Sequence, residues 1–340
     1  MSKPNIALVF PGLEWNQDWL QQDIGEYLSK DWIKQFYSKG IKNNRSLRYS
    51  DLLSQYVLNI SLLDKALQLA KFDLGLKIRS KYVTMISPVF QNMRLHQMAV
   101  LCGNEILNIS YTEANILCEQ LNALYEHEQY YFHPVRPDLW LLESPEPLVF
   151  DSPCPYNLVD LVDGQVKAIG KDGARIQLLQ SEMQMFLHNC DVNQRRKKKS
   201  QFQINGVWFW NDIPSQIKYP DSEVIVNSKN IDWLSSKGTT HVKEIPDTVY
   251  QLVKNNRSVV LFSDILYAPN CMLNLEEYAT RFSWLGKYIV VPILKMQNDK
   301  IVSKVELISN GQSGGVIQLK QKTFFPSLFK KLTYKGLWID

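Results

Sequence analysis

The chain has 340 residues, 45% of them apolar and 21% charged, which is enough for a full core and excludes a disordered or low-complexity protein. Its net charge of +4 is too small an excess to demand an anionic partner, and no apolar run approaches the roughly 18 residues of a membrane helix. The five cysteines have no C-x-x-C spacing, and the start "MSKPNIALVF" is too short and interrupted for a secretory signal, so reduced thiols in a cytoplasmic, bacterial-type protein are expected.

In chain order, "NIALVFPG" reads as a buried strand stopped by Pro11-Gly12. Residues 13–79 read mostly as helix, with an apolar stripe of Leu62, Leu63, Ala66, Leu67, Leu69 and Ala70. The texture changes at 82. "YVTMISPV" and "QMAVLCGNEILNIS" read as strands, the second turning at Gly103-Asn104. "SYTEANILCEQLNALYE" reads as a helix with Thr112 as N-cap and Glu113 in the first turn. "YYFHPV" and "DLWLLE" are two more strands. This ββ-α-ββ pattern predicts a small α+β subdomain over 82–143, closed by the Pro-rich "ESPEPLVFDSPCP". The remainder, 1–81 and 144–340, is expected to form one α/β core domain.

From 172 the spacing of Ile176, Leu179, Met183, Phe186, Leu187 and Cys190 predicts a helix with one buried face. "INGVWFW", "EVIVN" and "SVVLFSD" read as strands, and "DTVYQLVKN" and "NLEEYATRFSWLG" as helices. "KYIVVPILKM" reads as a further strand, and "KIVSKVELIS" with "GVIQLK" as an antiparallel edge. Strands alternating with helices predict an α/β fold, a mostly parallel sheet covered by helices.

Five cations run from Arg195 to Lys199, between a helix and a strand. The run is expected in a solvated loop; the other readings are a phosphate or carboxylate contact and nucleic-acid binding. Specific nucleic-acid recognition is not expected, because it needs a basic face larger than one loop. His188 lies opposite the apolar face of its helix, which leaves a solvent-facing, capping or site role open. Asn193 suits the satisfaction of backbone groups after that helix. Arg196 suits bidentate pairing with a phosphate or carboxylate ligand, or a structural salt bridge. Asn205 suits the start of the next strand, where Trp208 and Trp210 belong to the core. Asp264 is placed as a strand-end ligand or as a polar strand terminus.

The pattern Leu187-His188-x-x-x-Val192-Asn193-x-x-Arg196, followed by Ile204-Asn205-x-x-Trp208-x-Trp210, resembles the 2,3-bisphosphoglycerate-independent phosphoglycerate mutases of archaeal type, and a bacterial offshoot of them still more. "NEILNISYTEANILCEQLNALYEHEQYYFHPVRPDLWLLE" resembles their inserted substrate domain. The likeness spans roughly 80–215. It implies an alkaline-phosphatase-like fold with a small inserted subdomain. In active members it implies two divalent metals held by Asp and His, and a serine that is phosphorylated and then passes the phosphoryl group on.

This chain departs from that requirement. Its first strand ends in Pro11-Gly12, with Glu14 the first carboxylate. The five histidines (His96, His127, His133, His188, His241) form no Asp-His or His-x-x-x-His pair, and no serine-centred nucleophile loop precedes residue 80. Where the family often has His-Pro before Val-Asn, this chain has Cys190-Asp191. The expectation is therefore a non-catalytic binding or regulatory descendant with no metal and no cofactor. Its partner would be a phosphorylated or carboxylate small molecule, not a membrane. The ligand would sit between the inserted subdomain and the sheet, near His188, Asn193, Arg196 and Asn205. The alternative is an active mutase interconverting 3- and 2-phosphoglycerate through unfamiliar ligands.

Overall fold

The structure, a computed structural model, describes residues 3–15, 28, 31–94, 97–160, 166–234, 244–311 and 314–320. In chain order the elements begin with β1 (Asn5–Val9), α1 (Asp31–Lys39), β2 (Ile41–Asn44), α2 (Tyr49–Tyr56) and α3 (Leu62–Gln68). Next come β3 (Val83–Arg94), β4 (Gln97–Leu101), α4 (Asn104–Leu107), α5 (Tyr111–Leu124), β5 (Tyr131–Arg136) and β6 (Leu139–Glu143). They are followed by α6 (Gly173–His188), α7 (Asp191–Lys198), β7 (Gly206–Trp210), β8 (Glu223–Asn227), α8 (Ile245–Lys254) and β9 (Val259–Ser263). The chain closes with α9 (Tyr267–Cys271), α10 (Leu275–Leu285), α11 (Val291–Asn298), β10 (Lys304–Ser309) and β11 (Gly315–Lys320). The fold class is mixed α/β, as expected.

Two compact units emerge: Met1–Asn59 with Gln216–Asp340, and Ile60–Ser215. The first holds a six-stranded sheet in the order β2-β11-β10-β1-β9-β8. Its four strands β10, β1, β9 and β8 are parallel. β1 and β9 read as near-continuous apolar runs because a parallel sheet is buried on both faces. The core joins Ile6, Leu8, Leu261 and Leu307 of the sheet to Trp32, Phe36, Val249, Phe282 and Ile293 of the helices. β10 and β11 are antiparallel as expected, yet they are not the edge, because β2 pairs onward with β11.

The second unit holds β4-β3-β6-β5, with β7 also pairing to β3, all antiparallel. The boundaries expected at 82 and 143 differ from these. β7 was assigned to the parallel core, but its register runs from Met85↔Trp210 to Val89↔Gly206 on β3. The physical reason is its length: β3 covers 12 residues, enough for β4 along one part and for β6 and β7 along another.

Three local expectations are corrected. "KYIVVPILKM" is helical, a π-helical turn over Gly286–Val290 that runs into α11. The buried residues Ile289, Val290, Ile293 and Leu294 recur at helical spacing, and Pro292, which has no N–H to give the helix, follows directly on the π-helical turn. Gly103-Asn104 opens the short helix α4 instead of a hairpin; the Asn104 side chain accepts from Ile109 N and its own N–H donates to Asp138. The N-cap of α5 is Ser110 and not Thr112, because Ser110 and Glu113 close a capping box.

Candidate functional site

In open parallel sheets ligands bind outside the carboxyl ends of the strands. In the first unit those ends fall at one level, because Val9 is in register with both Phe262 and Ile308, and Phe262 with Val226. The last residue of each of three strands and the one after it are polar: Asn227 and Ser228 for β8, Ser263 and Asp264 for β9, Ser309 and Asn310 for β10.

Asp264 is fully buried. Its Oδ2 accepts from Tyr49 Oη (2.9 Å), Ser228 Oγ (2.8 Å) and Asn230 Nδ2 (3.3 Å). Ser228 Oγ in turn accepts from the N–H groups of Asn230 (3.0 Å) and Ile231 (3.1 Å), which fixes the hydroxyl toward the carboxylate. Tyr49 is held by ring contacts with Phe262 and Tyr267. Asn227 Nδ2 donates to Ser263 Oγ at 2.9 Å.

The turn after β1 is clamped from the same end. Gly12 N donates to Asn310 Oδ1 (2.8 Å), Asn270 Nδ2 donates to the carbonyls of Gly12 and Glu14, and Tyr278 Oη donates to Leu13 O. Gly12 has φ +77°, and a Cβ there would meet the Tyr267 backbone at 2.8 Å, so the turn requires glycine. Among the described residues two carboxylates lie at this end of the sheet, Asp264 and Glu14, whose carboxyl packs against Gly311 just past β10; amides and hydroxyls fill the other strand-end positions named above.

The two-metal centre implied by the sequence resemblance needs several Asp and His per ion. Among the described residues no three His, Cys, Asp or Glu side chains come together. Of the histidines, His127 and His188 are exposed and His133 Nε2 lies 2.6 Å from Glu143 Oε2. His96 and His241 lie outside the described residues. The described residues do not fit such a centre.

The four site residues nominated from the sequence all lie in the second unit. Asn193 is fully buried; its Nδ2 donates to Leu187 O and Ile204 O, and its Oδ1 accepts from Ile204 N. It ties the end of α6 to the approach to β7, the backbone role expected for it. Arg196 is also fully buried and donates to the carbonyls of Phe202, Asn108 and Leu107 and to Glu113 Oε1 (3.1 Å). Of its two readings, the salt bridge is the one this geometry carries, because the chain's own acceptors use every guanidinium nitrogen. Burial pushes the Glu113 carboxyl up, but hydrogen bonds from Ser110 and the Arg196 charge outweigh it and hold it below its ordinary range. Asn205 bonds both ways to the backbone of Gln91, as strand pairing would.

His188 is exposed on the outer side of α6. With Ser181, Gln184, Met185, Asn189 and Asn205 it lines an open cavity of about 500 Å³. The basic run is part of α7 and not of a loop. Only Arg196 turns inward, while Arg195, Lys197, Lys198 and Lys199 face solvent near the helix C-terminus, where cations complement the dipole.

No protein-family model matches the chain, and no curated protein matches it. Solved structures do resemble it. The cofactor-independent phosphoglycerate mutase from Thermoplasma acidophilum aligns over 94% of this chain and 90% of its own, with 12% identity and a TM-score of 0.39. The PH0037 protein from Pyrococcus horikoshii aligns over 94% and 88%, with 10% identity and a TM-score of 0.41.

Sequence reasoning marked Asp264 as a strand-end acid but missed Tyr49, Ser228, Asn230, Asn270 and Asn310. The available signal was the polar residues directly after apolar strands, "VIVNSKN" and "ELISN". No helix among the described residues is long and apolar enough to cross a membrane.

Proposed function

We propose that this is a phosphoglycerate-mutase-like protein that acts as a non-catalytic binding or regulatory protein for a small phosphorylated or carboxylate molecule. One observation carries the reading. Asp264, the acid directly after β9, is fully buried and its Oδ2 receives three side-chain donors, so it serves as the hub of a hydrogen-bond network. A metal ligand of a phosphoryl-transfer site must present its oxygens to the ion together with further acids or histidines. Apart from Glu14, the described residues at the neighbouring strand ends offer hydroxyls and amides, which hold a backbone in shape but leave too little charge for two divalent ions. The spacing of His188, Asn193, Arg196 and Asn205 supports descent from the mutases. In this reading Asn193 and Arg196 keep the fold, and His188 is the predicted site residue open to a ligand.

The test is a calorimetric titration of the purified protein with Mn²⁺ and Zn²⁺. A mutase assay on 3-phosphoglycerate, with and without chelator, accompanies it. The expected result is no tight stoichiometric metal binding and no chelator-sensitive turnover. Two tightly bound metals per chain, with turnover that a chelator abolishes, would restore the active mutase.

A further inference from the structure

The surface of the second unit holds a feature that neither the Asp264 network nor the His188 cavity uses. The helix α3 does not stop at Gln68; it runs on through a π-helical turn over Leu69–Asp73. Leu62, Ala66 and Ala70 are buried at four-residue spacing and form its inner stripe. Phe72 stands two positions past Ala70, about 200° round the helix, and so on the outer side. It is 82% exposed, more than any other large apolar side chain among the described residues. The turn that carries it is held in place. Leu74 N donates to Leu69 O at 3.1 Å and Leu76 N to Ala70 O at 2.8 Å, and Gly75, at φ +63°, takes the left-handed conformation that ends helices. Farther on, Arg79 N and Ser80 N donate to Glu143 Oε1. Phe72 is therefore presented by a segment tied at both ends, with Leu74, also exposed, two residues on.

Cations flank it. Between Ala70 and Tyr82 stand Lys71, Lys77, Arg79 and Lys81, all exposed, against one acid, Asp73. Among the described residues none of the four side chains reaches a carboxylate, and the Lys81 ammonium lies 5.0 Å over the Tyr82 ring. The bond from Leu76 N to Ala70 O puts Lys77 beside the turn that bears Lys71 and Phe72. Arg79 is two residues further, its Cα at most about 7 Å from that of Lys77. The chain's net charge is small, but here positive charge is concentrated around the most exposed aromatic ring.

We propose that the segment from Lys71 to Lys81 docks the second unit onto an anionic lipid surface. Phe72 and Leu74 enter the headgroup boundary, and the four cations meet the lipid phosphates and carboxylates. The size of the patch selects this occupant. A Phe side chain buries about 150–250 Å² and Leu74 adds less, far short of the roughly 800 Å² per partner in a stable protein interface. A bilayer needs no such area, because a small apolar group and a polybasic patch are two signals that together hold a protein at a lipid surface. Nucleic acid would use the cations and the Phe72 ring but would gain nothing from the exposed aliphatic Leu74. The expectation of no membrane partner rested on the lack of a spanning run, and a surface contact needs none.

The experiment mixes the full-length protein with vesicles of phosphatidylcholine alone, or of equal parts phosphatidylcholine and phosphatidylserine, and follows co-sedimentation. Binding to the mixed vesicles and not to the neutral ones is expected. It should be lost at about 1 M salt, where the Debye length falls to about 3 Å. Phe72→Ser should weaken binding about tenfold or more, and Phe72→Trp should retain it. Lys71→Gln, Lys77→Gln and Arg79→Gln should each weaken it about fivefold. Lys254→Gln in α8 and Ile169→Ser, both at exposed positions, should leave it unchanged. All these side chains face solvent, so every variant should melt like the parent. Failure to bind the mixed vesicles would overturn the proposal, as would equal binding to both kinds. So would binding that Phe72→Ser and the three cation variants leave as strong as the parent's. Oligothymidylate binding that Phe72→Ser and Lys77→Gln weaken, with no vesicle binding, would assign the surface to nucleic acid instead.

Discussion

Arg196 has no exposure to solvent, so the chain itself must satisfy its guanidinium. It does so with three backbone carbonyls and Glu113, joining α7 to the end of α4 and the start of α5. Those carbonyls are left over by helix ends and a loop, and without Arg196 they would be buried acceptors lacking a donor. Arg196→Met should therefore cost roughly 3–5 kcal/mol of stability, read as a shift in a urea unfolding curve. Arg196→Lys should recover little, because an ammonium cannot span the same fork of acceptors. A loss under about 1 kcal/mol in Arg196→Met would show that the network is dispensable. The residue was visible in the sequence as a member of a motif, and its structural salt bridge was one of two readings left open. Its partner Glu113 is 83 positions away, and no local pattern announces such a pairing. Asp264 was legible as an acid at a strand end for the opposite reason, since a polar residue after "VVLFS" is a local signal. Tyr49 joins it from 215 positions away, which local periodicity cannot convey.

Elements were readable where one period dominated. β1, β8, β9 and α10 follow from clean apolar runs or helical spacing. The segment 286–298 did not, because a short apolar run suits a buried strand and a buried helix alike. Tertiary packing decided it: Ile289, Val290, Ile293 and Leu294 all enter the core from one helical face. α7 was misread as a loop because five cations mask the inward positions Val192, Asn193 and Arg196.

The pair of β5 and β6 carries a device of a different kind. Glu143 of β6 accepts from Arg79 N (2.6 Å) and Ser80 N (2.5 Å) through Oε1 and meets His133 of β5 through Oε2 (2.6 Å). Burial raises the Glu143 carboxyl, but the N–H groups and His133 outweigh it and hold it below its ordinary range. A carboxyl lowered in the folded state stabilises above its unfolded pKa of about 4.3 and stops doing so as pH falls through the lower folded value. The segment at 79–80 should thus stay tethered at neutral pH and detach in acid. Amide chemical shifts of Arg79 and Ser80, followed by NMR from pH 7 down, should move together below pH ~4. Glu143→Gln should abolish that titration while keeping one acceptor. Shifts that are the same in the wild type and in Glu143→Gln would dismiss the tether.

At the scale of the whole molecule, chain connectivity is the informative feature. The second unit, Ile60–Ser215, is one continuous stretch, and the first is the two flanking stretches. The ends of the second unit lie side by side, since Leu62 N donates to Ile213 O at 3.0 Å. The open ends of the first unit are equally close, since Gln216 N donates to Ser54 O at 2.9 Å. A unit whose termini meet can be cut out without tearing a strand from its sheet, and domains with their own core fold alone. The second unit has such a core. Val89 of β3, Trp140 of β6, Leu117 and Leu121 of α5, Ile176 and Met183 of α6 and Phe209 of β7 are all fully or almost fully buried. The subdomain expected from the sequence, 82–143, leaves out β7, which supplies the pairing along Met85–Val89, and α6, which supplies Ile176 and Met183. The fragment 60–215 should therefore express as a folded protein with a cooperative thermal transition and dispersed amide resonances. The shorter fragment 82–143 should lack both. A cooperative transition for 82–143 alone would place the folding unit where the sequence pattern first suggested. Failure of 60–215 to fold would mean that its core depends on the flanking chain.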